Sequence, residues 1–499
     1  MIQPATNLYG YIKTDKWVFI SLVTILIMRV AFIWLMGPMP QDAYYYFYGQ
    51  HPALSYFDHP PGVAVLTRTF TDIFGRHSFA IKLGDTVVTL LMVGCFYLLA
   101  KKFLSPHKVW KSLLLMLSTL MVTILSLVTT PDVPLMLWWA VSLLCLYKVI
   151  FEHKGHWWIW TGMAMGLAFD SKYTAVLLPA GTVLFLLLSA RSRRWLISPW
   201  FLLSIVCFFV AISPVIIWNV NNGFASFKFQ SSERAGDIEL NWLDVLGVVG
   251  HQAAILIPVL FFALCYFIWK AARRYGWRWW RVPEKELWLL CFFLPVFIGF
   301  FLISPVYWVK LNWMMPGYIT GIIWVSVWLG NRWLRWQYII SLVVHLALAA
   351  EILFYPVPVK SDDTWAGWPG LGKAVQQIHA TYPDDFIFSA DDYKTSAILN
   401  LYMGKMVYSQ NIIGKRALEF DYVGTDLQSL KGRNAIFINS LTDVKDDIDE
   451  QAFVKDLQPY FSSVIPLEPI VVKRNGRLVR KWLVFRCIGY NPPAEKVVE

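Results

Sequence analysis

Apolar stretches long enough to cross a bilayer recur through the first 355 residues, and nothing else in the chain limits its fold as strongly. At about 20 residues per crossing, eleven spans are predicted, at roughly 17–36, 79–100, 110–128, 133–150, 157–169, 174–190, 196–217, 245–269, 286–304, 314–330 and 336–355. The fifth and sixth are short. Of the 499 residues 57% are hydrophobic and only 15% charged, which no soluble domain of this length sustains. The fold class is therefore a polytopic α-helical membrane protein. The 26 tryptophans fit interfacial anchors at helix ends. A net charge of +11 does not point to nucleic acid, because the basic residues cluster in loops between apolar spans. The six cysteines form no disulfide framework. The run from Trp17 to Met36 is long enough to stay as the first helix rather than be cleaved as a signal peptide.

Loop charge sets the orientation. With the N-terminus inside, one side collects Lys13, Lys16, Lys101, Lys102, Lys108, Lys111, Lys154, Arg191, Arg193, Arg194, Arg273, Arg274, Arg278, Arg281, Lys285, Arg332 and Arg335. The other holds only Arg68, Arg76, Lys82, Lys172, Lys228, Arg234 and Lys310. By the positive-inside rule the first side is cytoplasmic, so the loop at 37–78 and the tail lie outside. The chain divides at Tyr355: residues 1–355 form the membrane domain and 356–499, nearly neutral, a soluble α/β domain. In that tail Phe386–Ser389, Lys405–Tyr408, Ala435–Ile438, Pro469–Lys473 and Leu478–Cys487 read as strands, the last two joined at Asn475-Gly476. Gly372–Ala380 and Tyr393–Tyr402 read as helices, and Trp365, Trp368 and Pro369 as a tether to the bilayer surface.

The outer segments carry the chemistry. The first contains Gln41-Asp42-Ala43-Tyr44-Tyr45-Tyr46 and then Tyr56-Phe57-Asp58-His59-Pro60-Pro61-Gly62. Neither proline continues a helix, and Pro60 holds His59 extended, so Asp58-His59 is expected on a rigid turn beside the lipid. The plainer alternative is an interfacial loop with an aromatic belt. Further segments on the same side are Thr129-Thr130-Pro131-Asp132, Phe169-Asp170-Ser171-Lys172-Tyr173, the stretch from Trp218 to Leu243, and Ser304 to Trp313.

These motifs resemble the bacterial GT-C glycosyltransferases of the protein O-mannosyltransferase and lipid A aminoarabinose transferase type, a glycosyltransferase family 39-like group. Its members read Asp-Glu-Ala-Tyr-Tyr and then Tyr-(Phe/Tyr)-Asp-His-Pro-Pro. Here Gln41 stands where the first acid is usual and Asp42 where the Glu is. Thr-Pro-Asp at Asp132, Ser-Lys-Tyr at Lys172, and Trp-Asn followed by Phe-x-Phe-Gln at Asn219, Phe227 and Gln230 also fit.

The resemblance implies transfer of a sugar from a polyprenyl (undecaprenyl) phosphate donor to a periplasmic-side acceptor, with inversion, in the inner membrane of a bacterium. Such chemistry needs a base for the acceptor hydroxyl, for which Asp42 leads and Asp58 is the fallback. It needs a cation for the departing phosphate. Lys172 with Tyr173 is the best pair, because a lysine that interrupts an apolar run needs a counter-charge. Lys310, Arg76 and Lys82 are weaker candidates. Tyr45, His59, Asn219, Gln230 and Asn312 are expected to touch sugar or acceptor. The alternative roles are ordinary: Asp42 and Asp58 as loop structure, Asp132 as a helix cap, Lys172 as a snorkelling side chain. No metal-ligand spacing occurs, and a divalent ion, used by some relatives of that group, is left open. The acceptor is a glycolipid such as lipid A, another envelope glycan, or a protein. The rivals are a transporter or flippase, disfavoured because the polar residues gather at one face rather than the midplane, and an inactive scaffold suggested by Gln41.

Overall fold

The structure is a computed structural model that describes residues 8–233, 240–357, 359, 361–441, 450–474 and 476–493. Arg234, counted among the outer basic residues, and Asn475 of the expected turn lie outside the described residues.

Helix α1 (Leu8–Leu35) ends at Gly37-Pro38, and Pro40 opens α2 (Pro40–Gln50) at the first helical position, where a missing N–H costs nothing. The two meet at 95°, so α2 leaves the direction of the bundle. Helix α3 (Gly62–Phe74) stops at Gly75, whose φ of 92° suits glycine. Helix α4 (Ser78–Lys101) then returns through the bundle, its first turn held by Ala80 N–H donating to His77 Nδ1.

Among the described residues four helices are each long and apolar enough to cross a membrane: α4, Asp132–Glu152, Glu284–Ile303 and Asn331–Phe354. Four bent pairs pass together, which raises the count to eight. The other three of the expected eleven are helices of 13, 12 and 12 residues, Trp157–Phe169, Leu177–Leu188 and Met315–Ser326, shorter than a straight crossing requires. Three of the four breaks fall at prolines, most sharply at Pro258, where Trp242–Leu256 and Pro258–Tyr275 meet at 114°, and the fourth falls at Ser118-Thr119. Breaking a helix in an apolar core frees backbone groups that must find partners. Gln337 supplies them: its Nε2 donates to Leu256 C=O at 2.8 Å and its Oε1 accepts Leu260 N–H at 3.0 Å.

The tail forms a four-stranded sheet of β1 (Phe386–Phe388), β2 (Ala435–Leu441), β3 (Phe461–Arg474) and β4 (Arg477–Tyr490) in the order β1-β2-β4-β3. The first pair is parallel and the other two are antiparallel. The expected strand at Lys405–Tyr408 is reduced to a single bridge between Tyr408 and Phe388. Asn400 explains this: its side chain takes both Val407 N–H and Val407 C=O, the groups a ladder would pair. Trp368 is not a bilayer tether. It is fully buried, donates from Nε1 to Thr364 C=O at 2.7 Å, and carries the Arg480 guanidinium 4.1 Å over its ring.

The tail also does not stand apart. One apolar core contains Ala43 to Tyr48, Tyr56 and Val63 from the first loop together with Trp368, Ile398, Phe420 and Trp482 from the tail. Phe47 stacks on Phe420 with centroids 4.3 Å apart, and Tyr44 lies 4.3 Å from Tyr393.

Candidate active site

Two buried ion pairs at the loop end of the bundle organise the site. The first is Asp42 with Lys82, 2.5 Å apart and both without solvent exposure. Asp42 is fully engaged. Its Oδ2 accepts from Lys82 Nζ and from Met39 N–H at 2.8 Å, closing the start of α2, and its Oδ1 accepts Thr129 N–H at 2.9 Å. Lys82 also donates to Leu127 C=O at 2.6 Å.

The second pair is Lys172 with Asp132. Lys172 Nζ donates to both carboxylate oxygens at 2.9 Å, and Asn312 Nδ2 donates to Asp132 Oδ2. The counter-charge that an apolar environment demands of Lys172 is thus met inside the chain. The segment Thr129-Thr130-Pro131-Asp132 links the two pairs, since Thr129 binds Asp42 and Asp132 binds Lys172. Its tight turn is the joint of the site.

The Asp58 turn sits on the Lys172 segment. Gly62 N–H donates to Asp170 C=O at 2.8 Å, and a Cβ at position 62 would press on Ser171 Oγ at 2.8 Å, so glycine permits the approach. Gln230 Nε2 donates to the Asp58 carbonyl. Tyr173 shares a hydrogen bond of 2.7 Å with Ser226, and Asn219 Oδ1 accepts Phe227 N–H at 3.1 Å. Tyr45 lies with its ring 6.0 Å from that of His59. The structure therefore gathers Asp58, His59, Lys172, Tyr173, Asn219, Gln230 and Asn312 at one end of the bundle. Lys310 is exposed just ahead of Asn312. Arg76 is exposed beyond α3 and rests against Gly404 of the tail.

Asp58 differs from Asp42 in its surroundings. It keeps 9% exposure where Asp42 has none. Its Oδ1 accepts from the Tyr44 hydroxyl at 3.2 Å, which in turn accepts Glu419 N–H at 3.3 Å. Glu419 Oε2 accepts Phe57 N–H at 2.8 Å, one residue before Asp58. Burial holds the Tyr44 hydroxyl well above its ordinary pKa, with the negative charges of Asp58 and Glu419 adding to it, so Tyr44 stays a donor. Burial likewise pushes the Glu419 carboxyl well up; the Phe57 hydrogen bond opposes this and the Asp58 charge reinforces it. Among the described residues no group of three or more His, Cys, Asp or Glu is placed to hold a metal ion.

The family described as dolichyl-phosphate-mannose-protein mannosyltransferase matches residues 58–218. The lipid A galacturonosyltransferase RgtD of Rhizobium johnstonii is 24% identical over 316 residues, 63% of this chain and 64% of that one. The chain thus spans just under two thirds of that relative's length. The crystal structure of ArnT from Cupriavidus metallidurans in the apo state superposes with a TM-score of 0.62 at 15% identity, over 94% of this chain and 98% of that one. The same protein bound to undecaprenyl phosphate gives a TM-score of 0.61. The chain has an ArnT-like GT-C fold.

Within this GT-C fold the sequence had flagged most of the residues that meet at the site. It had ranked Lys82 and Asp132 low, and Glu419 was missed. Lys82 left a signal, since a lysine at the head of an apolar span needs a carboxylate. Glu419 left none: it stands more than 350 residues from Phe57 in the chain, in a domain with no motif.

Proposed function

We propose that the chain transfers a sugar from a polyprenyl phosphate, undecaprenyl phosphate in particular, to a glycolipid of the lipid A type on the periplasmic side of the bacterial inner membrane. The observation that carries this is a buried lysine, Lys172, held by an exchangeable carboxylate directly beside the Asp58 turn. The lipid A relative and the ArnT fold support the acceptor and the donor respectively. On this reading the membrane domain is 1–355 with eleven crossings, three of them short, and 356–499 is periplasmic.

In the reaction the acceptor hydroxyl gives its proton to Asp58 as its oxygen attacks the anomeric carbon. The bond from that carbon to the phosphate oxygen breaks, with inversion, and the polyprenyl phosphate leaves with its new charge beside Lys172. Asp132 holds Lys172 in place before the donor arrives and takes it back afterwards. Exchanging one anion for another keeps the lysine charge compensated throughout. Asp42 is assigned to the scaffold in this scheme, because both its oxygens are occupied and no solvent reaches it. Tyr173, Asn219 and Gln230 shape the wall, and Tyr45, His59 and Asn312 border the sugar. Lys310 guides the donor headgroup from the rim.

The test is a transfer assay with the purified chain in nanodiscs, an undecaprenyl-phosphate-linked galacturonic acid, and two acceptors, lipid A and a Ser/Thr-containing peptide. Product on lipid A is expected. Asp58→Asn is expected to lower turnover at least about 100-fold with donor affinity unchanged. Lys172→Ala is expected to weaken donor binding about tenfold or more, roughly 1.4 kcal/mol. Product on the peptide alone would move the chain to protein glycosylation, which the matched family's description names. An active Asp58→Asn enzyme would remove the base.

A further inference from the structure

A cavity of about 700 Å³ opens between the first loop and the tail. Tyr46, Phe47 and His51 of the loop form one wall, Arg76 stands at the end of α3, and Gly404 and Lys405 close the far side. The site described above draws on none of these side chains.

Its charge is one-sided. Asp72, the carboxylate on the wall, is already matched by Arg68 at 3.3 Å. Lys405 Nζ meets only the His379 ring among the described residues, at 2.5 Å, and no carboxylate. Arg76 makes no hydrogen bond or ion pair among the described residues. Its guanidinium lies directly over Gly404, where a Cβ would overlap it, and Gly404 has φ of 65° at the end of the helix Lys394–Met403. The negative end of that helix favours a cation there. Burial and the nearby Arg433 charge hold the Lys405 ammonium below its ordinary pKa, as expected for a cation lacking an anion.

We infer that this cavity binds an anionic group, phosphate or carboxylate, on the headgroup of the glycolipid acceptor, with Arg76 and Lys405 as its ligands. The inference rests on the proposed glycolipid acceptor. An arginine fork matches a phosphate or carboxylate in two-point geometry, and the lysine adds a point charge. The volume exceeds what a lone phosphate fills and suits a charged sugar. The position also suits an acceptor. The cavity shares α2 with the Asp58 site, so a headgroup anchored at Arg76 can present its hydroxyl along that helix. Arg76 thereby serves acceptor rather than donor.

The experiment measures binding to the full chain in nanodiscs by fluorescence, with four probes: undecaprenyl phosphate, bisphosphorylated lipid A, the same lipid A with its phosphates removed, and inorganic phosphate. Wild type is expected to prefer the phosphorylated lipid by about tenfold or more. Arg76→Ala with Lys405→Ala is expected to abolish that preference, Arg76→Lys to keep part of it, and all variants to bind undecaprenyl phosphate as wild type does. A double variant that keeps the preference overturns the inference. So does one that loses undecaprenyl phosphate instead, which would make Arg76 a donor ligand. Inorganic phosphate that displaces bisphosphorylated lipid A at micromolar concentration would make the site one for a free anion, and would overturn the glycolipid assignment. Failure of the wild type to bind undecaprenyl phosphate would count against the proposed donor and leave the comparison of the two lipid A forms standing.

Discussion

Asp42 and Asp58 sit on the same loop, and their neighbours separate them. Asp42 belongs to a pair with no exposure at either partner. Removing one member of such a pair leaves the other charge uncompensated, at about 3–5 kcal/mol. Asp42→Asn is therefore expected to lower the yield and thermal midpoint of the folded protein, and Lys82→Met paired with it to restore part of the loss; equal midpoints for wild type and Asp42→Asn would contradict this. The sequence could name both acids but not divide their roles, because Lys82 and Thr129, which occupy Asp42, are 40 and 87 residues away. Glu419 offers a pH signature. Its pKa is raised in the fold, chiefly by burial, so the folded state holds that proton more tightly than the unfolded state does. The stability it contributes is complete below the ordinary carboxyl range and is lost as pH rises through the elevated value. Thermal midpoints across about pH 5 to 9 should fall for wild type. They should fall less for Glu419→Gln, which stays neutral and can still accept Phe57 N–H. Parallel curves would show that Glu419 ionises freely.

At the scale of elements, prolines were legible and their compensation was not. Pro258 announces a break, and the structure bends there by 114°. What makes the break tolerable is Gln337, from a helix almost 80 residues later, which serves both freed backbone groups and also donates to Ser118 at 3.1 Å. Gln337→Leu is isosteric enough to pack but strands the buried Leu256 C=O, at about 1–3 kcal/mol, and leaves Leu260 N–H with Ile257 C=O alone. The variant is expected to unfold at lower temperature, with Gln337→Glu less affected at low pH, where a protonated carboxyl can still donate; thermal unfolding in detergent decides. The same logic governs the tail. The β3–β4 hairpin was readable from alternation and its turn, whereas the strand expected at Lys405–Tyr408 was lost to one side chain, Asn400, that the pattern of hydrophobicity does not register.

For the whole molecule, the charge bias of the loops predicts an orientation that reporter fusions can test. A reporter after Tyr355 is expected to be active on the periplasmic side and one after Arg194 in the cytoplasm, and the reverse pair would invert the scheme. The apolar spans and the outer motifs made the class of fold legible. Three helices of 12 or 13 residues separate the eight spans or bent pairs from the eleven expected, because the hydropathy pattern does not register where a helix stops. Also invisible was the shared core of first loop and tail, since its two halves are separated by the entire membrane domain. That core has a consequence in time. The loop leaves the ribosome early, and the residues that complete it, Phe420 and Trp482 among them, follow only after hundreds more; at cellular rates of synthesis the delay is on the order of tens of seconds. Throughout it, a cluster of tyrosines lacks its cover. A chain cut short before the tail would display that cluster permanently, so the later segment acts as the seal by which a chain that carries it is distinguishable from one that does not.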